Sequence, residues 1–190
     1  RRSSVLRIFR CIRYSGRLGF SIENDTQTEL QHDITHINLL SGVRITNELV
    51  KIFSEKSLNP ILDLMDRFEV SGHIHSGFPK GSGFPKRKNL LKNMRIPTSE
   101  FPLCVLISLI EIDQRMDLIK RLDLGNKLTK VGADLNRIEL IEAGSSRSEI
   151  CKQLTDVSEI AISVAEAYAS KDLRNNLELF VNELKAINLC

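Results

Sequence analysis

VLRIFRCIRYSGRLGF, residues 5–20, is the segment from which the fold class is most readily inferred. Its apolar residues recur at the spacing of an α-helix and share one face: Val5, Ile8, Phe9 and Ile12. Its arginines fall on the opposite side: Arg7, Arg10, Arg13 and Arg17. The segment therefore predicts an amphipathic helix with a basic outer face.

Helical spacing continues along the rest of the chain. Gly19 suits the end of the first helix, whereas Ser41 and Pro60 are placed to begin two others. Residues 146–149, Ser-Arg-Ser-Glu, have the pattern of a capping box. No segment alternates between apolar and polar residues as a half-buried strand does. We therefore expect an all-α fold of packed helices without a significant sheet.

A change of composition predicts a boundary at residues 71–97. This stretch is rich in Gly, Pro, Ser and Lys, and it repeats Ser-Gly-Phe-Pro-Lys at residues 76–80 and 82–86. Pro and Gly at this density break helices and strands alike. We expect a basic loop or linker here, between a helical subdomain at residues 1–70 and a helical body at residues 98–190.

The net charge of +3 is unevenly distributed. Residues 1–20 contain six arginines, residues 80–95 contain six lysines and arginines, and neither stretch has an acidic residue. Elsewhere the other 15 Lys and Arg residues are outnumbered by 24 Asp and Glu residues. Two basic stretches on an acidic body favour a local site for a polyanion such as RNA, with solvated surface as the alternative.

Metal and membrane signals are weak in this sequence. The four cysteines are far apart and show no Cys-x-x-Cys spacing, so a structural zinc site is not expected. The longest apolar run, residues 103–110, is too short to span a bilayer. We expect a cytoplasmic protein with no membrane partner.

Two segments, residues 5–20 and 41–51, resemble the neck motifs of the tRNA nucleotidyltransferases, the family of CCA-adding enzymes and bacterial poly(A) polymerases. The first segment has the arginines, the tyrosine and the Leu-Gly-Phe ending of one motif. The second, Ser-Gly-Val-Arg-Ile-Thr-Asn-Glu-Leu-Val-Lys, resembles the next motif. The resemblance covers residues 1–70 and implies an all-α neck and body that lacks the catalytic head.

The resemblance also implies roles for individual residues. The family's neck reads the base of the incoming nucleotide, which points to Arg7, with Arg10 beside it, as nucleotide-binding residues. The two acids that precede this arginine in the family are Ser3 and Ser4 here, which puts base selection in doubt because serine brings no charge. Contacts with RNA are expected from both basic stretches: Arg13, Arg17, Lys86, Arg87 and Lys88. Bracing of the neck against the head is expected from the second motif: Arg44, Glu48 and Lys51.

Catalytic carboxylates belong to the head in this family, where they bind Mg²⁺ and act on ATP or CTP. This chain has no Asp-x-Asp pair. We therefore expect no catalytic residue, metal site or cofactor in this chain alone, with Mg²⁺ and ATP or CTP implied only for the complete enzyme. The nearest imitations of a carboxylate pair are expected to be helix caps or solvated residues: Glu23 with Asp25, and Glu111 with Asp113. His32-Asp33 is similar to a metal-phosphohydrolase pair, but the other histidines are not spaced as its partners.

Three interpretations remain. In the first, the chain is the RNA-binding, nucleotide-selecting portion of a tRNA nucleotidyltransferase or poly(A) polymerase, and it is inactive until a head is supplied in cis or in trans. Its partner would be RNA, with the 3′ end of tRNA as the expected substrate. In the second, it is an RNA-binding or interaction module without a catalytic role. In the third, it is a decayed remnant of the enzyme.

Overall fold

Packed helices account for most of the chain in a computed structural model that describes residues 2–142 and 144–184, with side chains at 5–142 and 144–183. The first six α-helices are α1 (Arg2–Leu18), α2 (Asn24–Ile34), α3 (Gly42–Phe53), α4 (Asn59–Arg67), α5 (Val70–Ile74) and α6 (Gly83–Leu91). The other six are α7 (Phe101–Ile107), α8 (Ile112–Leu122), α9 (Gly125–Glu139), α10 (Arg147–Leu154), α11 (Glu159–Tyr168) and α12 (Lys171–Leu179). A 3₁₀ turn (Thr35–Leu39) follows α2, and a π turn (Phe180–Leu184) follows α12. The described residues form no strand, so the expected all-α fold is confirmed.

The apolar face of α1 is buried as its spacing predicted, with Val5, Ile8, Phe9 and Ile12 all in the core. The helix ends where Gly19 adopts a positive φ of 70°. The backbone N–H of Phe20 then donates to the carbonyl of Ser15 at 3.0 Å. This is the hydrogen bond of a Schellman C-cap, in which glycine accepts the left-handed conformation at little cost.

The closest approach of two helices in the first half lies between α1 and α4. A Cβ atom added to Gly16 would lie 2.8 Å from the Cα and the backbone nitrogen of Ile61, so the two helix backbones nearly touch. Pro60 is in the first turn of α4, as the sequence predicted, because that turn needs no N–H from it. The crossing of α1 and α4 forms one wall of the cleft described below.

The predicted loop at residues 71–97 is partly wrong, because residues 83–91 form α6. Pro85 is the third residue of this helix, where a backbone N–H has no partner within the helix, so the proline is tolerated. The ring of Phe84 is buried and stacks on that of Phe53 with 4.0 Å between centroids. Part of the Ser-Gly-Phe-Pro-Lys repeat is therefore packed against α3.

Side chains also connect α3 to α8 across a long sequence separation. The hydroxyl of Thr46 donates to the carbonyl of Leu122 at 2.7 Å. Arg121 donates to the carbonyls of Leu40 and Ile37 at 3.1 and 3.2 Å. These long-range bonds to backbone carbonyls fix the start of α3 against the end of α8. None of the helices in the described part of the chain has the length and hydropathy required to cross a bilayer.

Candidate nucleic-acid interface

The basic face of α1 lies beside the acidic residues of α3 and of the turn that follows it. Arg10 Nε is 3.9 Å from Glu48 Oε1, and Arg13 Nη1 is 3.0 Å from Glu55 Oε1. Arg17 Nη1 reaches the same Glu55 oxygen at 3.7 Å. These three contacts form one charged seam between α1 and the segment made of α3 and the turn after it.

Arg13 is held inside this seam. Its side chain is only 13% exposed, and its guanidinium lies 4.6 Å from the centroid of the Tyr14 ring. Burial alone would lower the pKa of Arg13, but the hydrogen bond to Glu55 and the neighbouring Tyr14 outweigh it and raise that pKa. Arg13 is therefore a charged structural tie, which limits its access to a ligand.

Arg7, Arg10 and Arg17 extend into solvent along the same helix. The side chains of Arg10 and Arg17 are 57% and 41% exposed. Arg7 is exposed as well, and it forms no hydrogen bond or ion pair with any residue in the described part of the chain. Tyr14, 43% exposed, lies 5.0 Å from the Arg17 guanidinium. Together Arg7, Arg10, Tyr14 and Arg17 form a basic strip with one accessible aromatic ring.

The second motif contributes a buried carboxylate at Glu48, which is 3% exposed. Its Oε1 atom accepts a hydrogen bond from Lys51 Nζ at 2.8 Å. Its Oε2 atom is buried and has no hydrogen-bond partner among the described residues. Arg44 is exposed and unpaired within the same part of the chain. Glu48 thus contacts both Arg10 and Lys51. Bracing against a head stays a prediction for Arg44, Glu48 and Lys51.

Two of the three residues expected to contact RNA on the second basic stretch form internal bonds instead. Lys88 Nζ donates to the carbonyl of Phe53 at 2.8 Å, at the end of α3. Arg87 Nη1 donates to the carbonyl of Ser108 at 2.7 Å, and burial lowers the pKa of Arg87. Lys86 alone of these three residues is exposed and has no bonded partner within the described residues. Of these three residues, Lys86 is therefore the one whose side chain is accessible to a ligand.

Arg87 also reaches a buried polar network that the sequence analysis missed. Its guanidinium lies 3.9 Å from the centroid of the Tyr168 ring, and the Tyr168 hydroxyl donates to Glu139 at 2.6 Å. Glu139 pairs with Arg115 at 2.9 Å. Burial, and then the Glu139 carboxylate, raise the pKa of Tyr168 well above its ordinary value. The network joins α6, α8, α9 and α11.

A signal for this network was present in the sequence. Arg115 is 2% exposed and precedes Leu118, Ile119 and Leu122, all of them buried, at helical spacings of three, four and seven. A lone arginine on the apolar face of a helix indicates a buried, fully bonded guanidinium. Arg115 satisfies this expectation with bonds to the carbonyls of Ile107 and Ile110.

The weaker sequence alternatives do not assemble into a metal site. Glu23 and Glu111 precede α2 and α8 without a capping side-chain bond, and Asp25 and Asp113 lie in the first turns of these helices. The exposed His32 is 3.4 Å from the adjacent Asp33. Among the described residues, no group of three or more His, Cys, Asp or Glu side chains fits a metal ion, so we assign no step to Mg²⁺ in this chain. The side chains of Ser3 and Ser4 lie outside the described ones.

Comparison with known families gives a match over the segment that includes α2, α3 and α4. Residues 19–79 match the family described as the probable RNA and SrmB-binding site of polymerase A. The match includes the second neck motif and begins at the last two residues of the first, so it supports the family resemblance inferred from the sequence.

Solved structures with the same helical arrangement are tRNA-processing enzymes. A CCA-adding enzyme in its apo form II has a TM-score of 0.61 at 20% identity, over 95% of this chain and 46% of that chain. The Thermotoga maritima CCA-adding enzyme complexed with tRNA has a TM-score of 0.58 at 20% identity, over 95% and 48%. A tRNA-processing enzyme in apo form I has a TM-score of 0.54 at 17% identity, over 95% and 53%.

These similarities establish a shared fold, and they cover only part of the other proteins. The chain spans about half the length of the structures that it matches. Comparison with curated protein sequences gives no match. The activity and substrates of the longer enzymes are therefore addressed as proposals.

Proposed function

We propose that this chain binds RNA as the helical portion of a tRNA nucleotidyltransferase-type enzyme. The observation that carries the proposal is the basic strip on α1, because Arg7, Arg10 and Arg17 direct exposed guanidiniums outward from a helix whose other face is buried. Guanidiniums form planar, charge-assisted bonds with phosphate oxygens. Tyr14 adds an accessible ring of the kind on which unpaired bases stack.

Within this function, Arg7 and Arg10 are the residues that we assign to the nucleotide. Arg7 is free of internal bonds in the described part of the chain, so its donors are available to the edge of a base. The buried Glu48 carboxylate, 3.9 Å from Arg10 Nε, orients the Arg10 side chain. Arg17 is assigned to RNA phosphate, and Lys86 on the second basic stretch is accessible for the same purpose.

Nucleotide addition would require a head domain, supplied in cis or in trans, to bind Mg²⁺ and ATP or CTP. The neck and body would then hold the 3′ end of an RNA, with tRNA as the favoured substrate. Arg44 and Lys51 form the surface that we assign to bracing that head, and the buried Glu48 carboxylate holds Lys51 in place. The chain alone would bind RNA without extending it.

RNA binding can be tested by fluorescence anisotropy with a labelled RNA that has a single-stranded 3′ end, measured over a range of salt concentrations. A triple variant with Arg7→Ala, Arg10→Ala and Arg17→Ala should bind more weakly. Its slope of log affinity against log salt should flatten by at least about 0.7, the contribution on a single strand of the phosphate contact assigned to Arg17. Replacement of two exposed arginines on α10 and α12, Arg147→Ala and Arg174→Ala, is the matched control. An unchanged slope in the triple variant would contradict the assignment of the basic strip.

A second candidate function is an RNA-binding module with no part in catalysis. It is favoured by Ser3 and Ser4, which stand where the family has two acids. The discriminating experiment supplies a head polypeptide known to act with an intact neck, together with labelled ATP or CTP, Mg²⁺ and a tRNA lacking its 3′ end. Incorporation only in the presence of both polypeptides supports the enzymatic function, whereas none leaves the binding module.

A further inference from the structure

A cleft of about 480 Å³ lies between the end of α1, the start of α2 and the outer face of α4. Its apolar lining includes Pro60, Leu64 and Phe68, and Phe68 is almost fully buried. The volume is in the range of pockets that hold small organic groups, about 300 to 1,000 Å³. The cleft is on a different face of α1 from the basic strip, because Ser15, Gly16 and Gly19 line it while Tyr14 and Arg17 do not.

Phe20 lies at the edge of this cleft with 67% of its side chain exposed. It is more exposed than any other large apolar residue in the described part of the chain. The Schellman cap that ends α1 places it there, because the chain turns at Gly19 and its next residue emerges beside the cleft. An exposed aromatic ring above an apolar pocket is the arrangement that holds an unpaired base by stacking.

Polar groups around the cleft offer both a cation and an anion. Arg67 donates to the side-chain oxygen of Gln27 at 3.1 Å, and Gln27 donates in turn to the carbonyl of Ile22 at 2.7 Å. The Arg67 guanidinium is thereby oriented at the cleft with other N–H donors still available. Asp63 is exposed and has no hydrogen bond or ion pair within the described residues.

We propose that this cleft receives one unpaired base of an RNA strand bound to the protein. Phe20 stacks on the base, Arg67 contacts an adjacent phosphate, and the Asp63 carboxylate accepts a hydrogen bond from the exocyclic amino group. Adenine, cytosine and guanine carry such a group, whereas uracil presents a carbonyl at the corresponding position. The cleft therefore prefers an amino-bearing base to uracil. The inference rests on the proposed RNA binding and adds a base site distinct from the basic strip.

The direct test uses the absence of tryptophan from this chain. Phe20→Trp places a single indole at the cleft, and the position is exposed enough to accept the larger ring. Titration with oligo(A) or oligo(C) RNA should quench its fluorescence, and oligo(U) should do so more weakly. Leu140→Trp, at a site that is 65% exposed on the end of α9, is the matched control and should not respond.

Affinity measurements complete the test. Phe20→Ala should weaken oligo(A) and oligo(C) binding by at least about five-fold, the lower limit for loss of one stacked base. Asp63→Asn should reduce the preference for oligo(A) and oligo(C) over oligo(U), with its unfolding transition unchanged. If the wild-type chain binds RNA but the Phe20→Trp fluorescence is not quenched and Phe20→Ala loses no affinity, the cleft proposal alone is overturned. A wild-type chain that binds none of these RNAs would overturn the proposed function and the cleft with it.

Discussion

Arg13 Nη1 lies 3.0 Å from Glu55 Oε1, and this contact joins the basic face of α1 to the turn after α3. Both side chains are mostly buried, with 13% and 15% exposed. Glu55 thereby neutralises an arginine that belongs to the fold, while Arg17 touches the same oxygen from the solvent side at 3.7 Å. The four α1 arginines whose side chains the structure describes thus divide into one structural residue, Arg13, and three accessible ones.

Replacement of Glu55 by glutamine should destabilise the protein. Glu55→Gln keeps the side-chain shape but leaves the Arg13 charge without its counter-ion, so we expect a loss of about 1.5–3 kcal/mol, the usual contribution of a hydrogen bond to a charged group. Urea unfolding followed by circular dichroism measures the loss. Glu29→Gln, on the exposed side of α2, is the control and should change stability by less than about 0.5 kcal/mol. Equal stabilities of the two variants would contradict the role of Glu55.

Gly16 should not tolerate a side chain. In Gly16→Ala the new Cβ would lie 2.8 Å from backbone atoms of Ile61, and a backbone cannot move aside as the end of a side chain does. We expect α1 and α4 to separate, at a cost of about 1–3 kcal/mol or more. Gly72→Ala is the matched control, since nothing lies within 4 Å of its Cβ position. That variant should be neutral or slightly stabilised in the same thermal unfolding assay, whereas a neutral Gly16→Ala would disprove the close approach.

Periodicity predicted the parts of this fold that depend on local sequence. Burial of Val5, Ile8, Phe9 and Ile12 follows from their helical spacing. The end of α1 at Gly19 follows from backbone chemistry, as does the capping box at residues 146–149. A loop was predicted where α6 forms, because composition does not show where in a helix a proline would lie. Pro85 lies in the first turn of α6, where proline is tolerated.

The candidate site was less predictable, because residue type does not show which cations have internal partners. Arg13 is 42 positions from Glu55, and Arg87 is 21 positions from Ser108. Such pairs form only when distant helices pack together. A list of basic residues therefore mixes cations that form internal bonds with cations that are accessible to a ligand. The cleft beside Phe20 depends on the same packing, since α1, α2 and α4 all contribute to it.

Arg115 should be among the residues that are most sensitive to substitution. It is fully buried, pairs with Glu139 at 2.9 Å and donates to Asn136 at 2.6 Å. Arg115→Ala would leave the Glu139 carboxylate without its counter-ion, and we expect a loss of about 3–5 kcal/mol. Arg115→Lys should recover only part of it, because an ammonium cannot reproduce the planar set of donors. Arg147→Ala, at an exposed position, is the control. Equal losses of unfolding free energy in the two alanine variants, measured by chemical unfolding, would contradict a stabilising role of the network.

Alkaline pH should destabilise the protein in part through Cys104. Burial, and then the charge of Glu100, raise the pKa of the Cys104 thiol from 9.0 to about 12. The unfolded chain loses this proton as the pH rises above about 9, whereas the folded chain keeps it, so the free energy of unfolding falls with pH in this range. The contribution approaches about 1.4 kcal/mol per pH unit once the unfolded thiol is ionised.

Urea unfolding between pH 8 and pH 11 should therefore give a flatter pH dependence in Cys104→Ala than in wild type. Cys11→Ala, which removes a partly buried thiol, is the control for the loss of a cysteine. Parallel curves for wild type and Cys104→Ala would show that the buried thiol does not contribute to the alkaline loss of stability.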